Sequence, residues 1–495
     1  MTSLRPEPRS TRTWLILVVL LGLLLGGLAL WRAKTGSRKV LRVLIIAPAS
    51  GQPDLDPGLE TLMADHLEVL AGAAVTHLAA IPDPATLRQM PGGVLLFRFQ
   101  ARRENQRLAL TMAWITSAQL MAGQPWVQES LPPLDPREAL DTWIQHWPLK
   151  ASQRFRSDLL PKSPDHFWTL LQAMSIRNDL EATNHLPASR RLVEDEPECA
   201  TAWVTLGDHL YRSLWVSPEQ AGIGLNSLTH KAFQRAVALV PGHPRATFLW
   251  SLMLTDTGNQ SLALGVLREA ARLRPNAPDL YQGFAYAGRT AGLLAGASSA
   301  LAKRKALLSP LGGASAWTVG TTNLYLGNWT AFEQELQEAR AVRREPDILF
   351  YQGYLALLKG DRQGALLHMT AGSELGGAGP FQNLCEVYRA LLEGRTEQGL
   401  AQLRLIDEVR GKVRIPDGEL TFKQAEAYAL LGDADRAMDC ATRAFVQGFS
   451  CARWFENSPF LERMRAHPRW PMLRRNIRER QAVLEGTFPV SAFGP

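Results

Sequence analysis

Cysteine is scarce in this 495-residue chain: Cys199, Cys385, Cys440 and Cys451 are all it has, and no two stand as Cys-x-x-Cys. That excludes a zinc ribbon and a thioredoxin-like redox motif, and it leaves the thiols to serve as small buried apolar groups. No Gly-x-x-x-x-Gly-Lys-Ser/Thr and no His-Glu-x-x-His occurs, so neither a phosphate-cradling loop nor a helical zinc-protease site is written here. Charge of one sign is also in short supply. The 54 basic and 47 acidic residues leave only +7, too small an excess for this length to imply a nucleic-acid partner. Apolar residues, by contrast, make up 46% of the chain, enough for a large core and too many for global disorder.

The remaining chemical candidates are thin. "GGASAW" (312–317) has Trp317 where a nucleophile elbow needs its second glycine. "GGAGP" (376–380) lacks the dinucleotide-binding register and does not follow a strand. Asp54 and Asp56 in "SGQPDLDPG" read as a solvated Asx turn before they read as a cation site. His66, His77 and His146 have no ligand spacing. An arginine run, Arg463, Arg465, Arg469, Arg474, Arg475, Arg478 and Arg480, reads first as a solvated cap and second as a docking patch for an acidic partner or anionic lipid. Only Trp470 offers that run a stacking ring, so nucleic acid is not expected. No catalytic residue, cofactor or metal is assigned, and the chain is expected not to be an enzyme; an unrecognised site in 40–150 is the competing reading.

Residues 14–31, "WLILVVLLGLLLGGLALW", carry no charge and follow a short basic tail, 1–13. Eighteen helical residues span about 27 Å, close to a bilayer core. Trp14 and Trp31 stand at the two ends, where amphipathic rings favour the interface. The run exceeds a signal-peptide core and is followed by Arg32 and Lys34, not by a cleavage site. The expectation is a single transmembrane helix in a bacterial inner membrane, with the body on the periplasmic side favoured over the cytoplasmic.

Residues 40–150 alternate strand and helix signals in the order β-α-β-α-β-β-α, a small α/β module. Gly92–Arg103, Arg107–Ala118 and Trp126 give a strand pair that resembles the TolB-like domain preceding helical repeats in many bacterial membrane-anchored regulators. In place of that family's Leu-Pro-Phe the chain has Ala47-Pro48-Ala49. The resemblance implies a regulatory or assembly role and brings no catalytic residues.

A Gly-Asp or Gly-Asn break recurs through 200–447, as in "LLKGDRQGAL" (357–366) and "LLGDADRAM" (430–438). Gly258, Gly292, Gly327, Gly360, Gly394 and Gly432 are spaced by 34, 35, 33, 34 and 38 residues. Ala263, Ala365 and Ala437 each follow their glycine by five, where two helices must approach closely. A 34-residue helix–turn–helix period resembles the tetratricopeptide repeat (TPR), and implies a TPR-like α-solenoid of six or seven units, with an insertion near Trp215–Asn226. Residues 151–199 read as a helical adaptor, and 448–495 as a helical cap and tail similar to the one that ends such arrays.

The fold expected is therefore mainly α: a membrane helix, a small α/β module, then a TPR-like solenoid. The resemblance implies a scaffold that holds a protein or peptide in the groove lined by first helices, here 316–326, 347–359, 381–393 and 420–431. Asn323, Asn383, Lys423 and Tyr354 are the candidate partner-binding residues, a polar and aromatic mixture suited to a wet interface. The alternative is the sensory or regulatory arm of a signalling system, lacking an output domain of its own because only 13 residues precede the apolar run.

Overall fold

The computed structural model describes residues 40–46, 55–78, 80–90, 93–146, 158–216, 224–308, 320–342, 345–375, 379–412 and 415–494. Arg42–Pro495 is one unit and Met1–Leu41 another. The unit from Arg42 onward begins with β1 (Arg42–Ile46), α1 (Asp56–His66), β2 (Ala74–Leu78), α2 (Pro84–Gln89), β3 (Leu95–Glu104), β4 (Arg107–Thr116), α3 (Ser117–Met121), β5 (Val127–Leu134) and α4 (Pro136–His146). The strands form one mixed sheet in the order β2-β1-β3-β4-β5. Val43 to Ile46 are all buried, as suits a strand with parallel neighbours on both sides. The β3–β4 hairpin turns through Asn105 and Gln106, both at positive φ, the tight geometry that matches strand twist. Strand β5 was not expected. Pro132 and Pro133 argue against a strand in sequence, but β5 is the sheet edge and a register shift accommodates them.

After α5 (Pro164–Met174), α6 (Asp179–Asn184) and α7 (Leu186–Asp195) come seven helix pairs. They are α8 (Ala200–Val216) with α9 (Leu225–Leu239), α10 (Pro244–Asp256) with α11 (Gln260–Leu273), α12 (Pro278–Thr290) with α13 (Leu294–Leu308), and α14 (Thr322–Leu326) with α15 (Trp329–Val342). Then follow α16 (Pro346–Leu358) with α17 (Arg362–Ser373), α18 (Pro380–Leu392) with α19 (Thr396–Lys412), and α20 (Gly418–Leu430) with α21 (Ala434–Val446).

All six break glycines have φ between 75° and 92°, a conformation that favours glycine. Each turn closes the same way. The residue after the glycine donates its N–H back to the first helix: Asn259 to Leu254 O, Asp361 to Ala356 O, Arg395 to Ala390 O, Asp433 to Tyr428 O. Asp361 and Asp433 then cap the second helix, accepting from the N–H groups of Gly364 and Arg436 at 2.9 and 3.0 Å. The repeated turn is thus a helix stop and a helix start compressed into two residues.

The sheet module is fixed to the repeats. Gly58 N–H donates to Ser175 Oγ at 2.9 Å, Arg42 Nε to Leu307 O at 3.1 Å, and Asn276 Nδ2 to Gly72 O at 3.2 Å. Arg245 lies between Asp65 of α1, at 3.7 Å, and Asp208 of α8, at 3.3 Å. At the other end, α22 (Ala452–Asn457), α23 (Glu462–Arg465) and α24 (Trp470–Thr487) cap the array.

The expected transmembrane helix is corrected. No helix among the described residues is long and apolar enough to cross a membrane. The run 14–31 lies outside those residues. The inner-membrane, periplasmic location rested on that span alone and falls with it. The fold that stands is mostly helical repeats with one small mixed sheet.

Ala365 and Ala437 are fully buried. Replacing either with Leu should overpack a helix contact and cost about 1–3 kcal/mol, read as a lower Tm. An unchanged Tm in both variants would show the repeat register to be wrong.

Candidate functional site

Helix α20 departs from the pattern of a repeat helix. An amphipathic helix leaves one stripe to water, yet every residue from Gly418 to Ala429 is buried. Its three charges, Glu419, Lys423 and Glu426, lie one helical turn apart and all point into protein. Asp417, at φ 41°, starts the helix; its carboxylate accepts the Leu420 N–H at 3.1 Å and its own N–H donates to Asp256 O at 3.0 Å.

Each charge has its complement. Arg289 reaches Glu419 Oε2 through Nε and Nη2, both at 3.2 Å, while Thr321 Oγ1 and Tyr325 OH donate to Oε1 at 2.6 and 2.5 Å. Burial alone would raise the Glu419 pKa, but the Arg289 charge and the two hydroxyls outweigh it and hold the carboxyl below its ordinary value. Lys423 Nζ donates to Glu426 Oε2 and to Tyr354 OH, both at 3.0 Å. It sits 4.1 Å from the Tyr354 ring centroid, 5.3 Å from Tyr325 and 5.7 Å from Trp454. Burial pulls the Lys423 pKa down against the opposing pull of Glu426. Glu426 also accepts from Tyr354 OH at 2.8 Å, Trp454 Nε1 at 3.1 Å and Ser458 Oγ at 2.6 Å. A neighbouring carboxyl, Asp256, accepts from Tyr211 OH at 2.5 Å and from Tyr286 OH; burial first, and the Asp417 charge second, raise its pKa to about 8.

The candidate residues divide. Lys423 and Tyr354 come together, but with no exposed surface, as parts of this ionic cluster. Asn323 is half-buried and gives its Nδ2 to Glu335 Oε1 at 2.8 Å; Asn383 is half-buried on the first turn of α18. No hydrogen bond joins either asparagine to the cluster among the described residues. Arg289, Glu419, Glu426 and Asp256 were not singled out from sequence. The available signal was "ELTFKQAE" (419–426), whose charges recur every three to four residues on one helix face.

Several other candidates dissolve. Arg474 and Arg478 both bind Glu456, Arg469 binds Asp439, Arg465 donates to Ser458 O and Arg480 to Phe445 O. Most of the arginine run is thus engaged in holding the cap. All four cysteines are buried, and burial pushes their thiols up to about 12. His77 meets Glu60 at 2.6 Å and His66 bonds Leu62 O. Asp54, residues 312–317, residues 376–378 and the His146 side chain lie outside the described residues. Among the described residues no group of three His, Cys, Asp or Glu is placed to hold a metal.

Pockets among the described residues of the repeats include two of more than 250 Å³. One, of about 560 Å³, lies among α15, α16 and α17 and is bridged by the Lys359–Glu333 pair at 2.6 Å. The other, of about 270 Å³, lies where the first turns of α16, α18 and α20 meet the end of α12. Tyr286, Tyr351 and Phe381 wall it, and Arg289, Asp417 and Glu419 contribute charge. The smaller pocket adjoins the buried ionic cluster and lies on the first-helix face, so it is the stronger candidate.

A family model for the tetratricopeptide repeat matches residues 230–278. That span takes in most of α9, the whole of the α10–α11 pair and the first residue of α12. No curated protein matches the chain. The chain therefore carries a tetratricopeptide repeat within a longer array of helix pairs built on the same turn.

Two outcomes follow from the ionic cluster. Glu426→Leu strands Lys423 as a buried unpaired charge and should cost about 3–5 kcal/mol in denaturant unfolding. Adding Lys423→Met should recover part of that loss, and no recovery would show that the pair is not the source. Asp256 has a pKa of about 8 folded against 3.8 for the ordinary group, so between these values the unfolded chain releases a proton that the folded chain keeps. Stability from this group therefore falls as pH rises from about 4 to about 8. In Asp256→Asn that part of the slope should vanish, which Tm measured across the window checks.

Proposed function

We propose that the chain is a non-enzymatic scaffold that holds a protein or peptide segment on the first-helix face of its repeats, for assembly or signalling. The tetratricopeptide repeat at 230–278 supports protein interaction as the class of activity. The observation that carries the reading further is the open pocket beside α20. The ionic cluster fills the adjoining part of the first-helix face with the chain's own side chains, while the first turns of α16, α18 and α20 leave a cavity between them.

A TolB-like character of residues 40–150 belongs to the same proposal. Bonds from Arg42, Gly58 and Asn276 hold the module in fixed relation to the repeats, so a partner of the module would be presented beside a partner of the array. The sensory-arm alternative has no structural observation that favours it over a scaffold.

The test is photocrosslinking in the cells that make the protein. Benzoylphenylalanine replaces Phe381 at the pocket wall or, as a control, Leu367, which is 68% exposed on the second helix of its pair. A discrete protein adduct from position 381 and none from 367 is expected. Equal adducts from both positions, or none from either, would overturn the reading.

A further inference from the structure

A short strap, Pro489–Gly494, follows α24 and lies against the α12–α13 pair. Pro489, Val490 and Ser491 are exposed, and Val490–Phe493 forms a single 3-10 turn. The backbone bond from Ala492 N–H to Pro489 O, at 2.8 Å, stays within the strap. Among the described residues no hydrogen bond or ion pair joins the strap to the rest of the chain. Phe493 is its one buried side chain, at 1% exposure. Closing the strap therefore orders its whole backbone, and the burial of a single ring opposes that entropy loss. A segment held in this way opens locally while the helices around it stay folded.

The surface under that ring is shaped for it. A Cβ on Gly288 would fall 2.6 Å from the Phe493 ring and one on Gly296 would fall 2.4 Å from it, so α12 and α13 each omit a side chain there. Neither glycine has positive φ, and glycine inside a helix weakens it, so the close approach of the ring is what glycine serves at both positions. Phe284 forms a further wall, its ring tilted 45° to that of Phe493. Gly494 adds a second requirement. Its φ of 148° favours glycine, and a Cβ there would fall 2.8 Å from Tyr281 Cε1. The notch thus accepts a benzene ring followed by a residue without a side chain.

We propose that the notch between α12 and α13 is a binding site for a Phe-Gly segment of a partner peptide, held shut in cis by Phe493 and Gly494 until such a segment displaces the strap. The partner's ring takes the place of the Phe493 ring against Phe284, and its glycine passes Tyr281. Exchange with the strap of a second copy would replace each contact by its identical counterpart and gain nothing, so the occupant is a different chain that adds contacts of its own on either side. The notch shares no lining residue with the pocket beside α20 and does not depend on the reading proposed for it.

The test titrates the full chain, as wild type and as Phe493→Ala, with acetyl-Ser-Ala-Phe-Gly-amide, followed by saturation-transfer NMR. Two control peptides carry alanine for the phenylalanine or valine for the glycine. Removing the resident ring should tighten binding of the Phe-Gly peptide by at least about tenfold, the effect of one buried ring no longer competing. Each control peptide should bind Phe493→Ala at least about tenfold more weakly than the Phe-Gly peptide does. Adding Gly296→Val to Phe493→Ala fills the notch and should abolish binding while circular dichroism keeps its helical signal. Should Phe493→Ala fail to fold, Gly494→Val, which drives the strap off Tyr281, carries the same expectation. Loss of the folded array in both variants would show Phe493 to be fixed core and overturn the proposal. Equal affinity in wild type and variant, equal affinity for the three peptides, or binding that survives Gly296→Val would overturn it too. So would a wild-type dimer that Phe493→Ala abolishes, since the notch would then belong to a second copy.

Discussion

Glu419, Lys423 and Glu426 carry ionisable side chains into the interior, and the placement of α20 follows from that. Removing such a group from water costs several kcal/mol unless a partner of opposite charge and enough hydrogen bonds await it. Here the partners come from far along the chain: Arg289 on α12, Thr321 and Tyr325 at α14, Tyr354 on α16, Trp454 and Ser458 in the cap. A slip of α20 by one turn would leave an ion facing rings or alkyl groups. Hydrophobic contacts tolerate sliding and ion pairs do not, so the charges set the register in which distant pairs meet.

The helix pairs were legible in the sequence because their punctuation is local. Gly258, Gly292, Gly327, Gly360, Gly394 and Gly432 recur because the turn needs a left-handed residue, and that need is met within a few positions of chain. The buried alanines follow from the same short-range geometry. Lys423 and Tyr354 show where this reading stops. Periodicity tells which face of a helix a side chain occupies, but it does not tell what covers that face. A lysine beside a tyrosine suits a solvated groove, and it equally suits an ion pair with Glu426 that is closed over by Trp454. The partners of α20 are more than a hundred residues away in the case of Arg289 and Glu419, whose separation is 130. Strand β5 was missed for a different reason: Pro132 and Pro133 are breakers unless the strand lies at an edge, and edge position belongs to the sheet, not to the segment.

A repeat array is usually treated as a row of units, each stabilised by its two neighbours. Several bonds here skip over intermediate pairs. Asp417 N–H meets Asp256 O, Ser450 N–H meets Thr290 O, and Arg453 reaches Leu326 O at 2.9 Å. Unfolding of the pairs between α10 and the cap is thereby coupled, and the cooperativity expected is that of a globular domain, not that of a row. The same bonds confine what is left of the first-helix face to recesses such as the one beside α20.

Phe493 makes the longest of these returns. Its ring lies where a side-chain carbon at Gly288 or Gly296 would fall 2.6 or 2.4 Å from it, and it packs tilted against Phe284 with ring centroids 5.5 Å apart. The α12–α13 pair is therefore incomplete until residue 493 has left the ribosome. During synthesis the middle of the array must wait with an apolar notch open while about two hundred further residues are made, a span of roughly 10–40 s at ordinary elongation rates. Over that interval the nascent chain exposes apolar surface that the finished one hides.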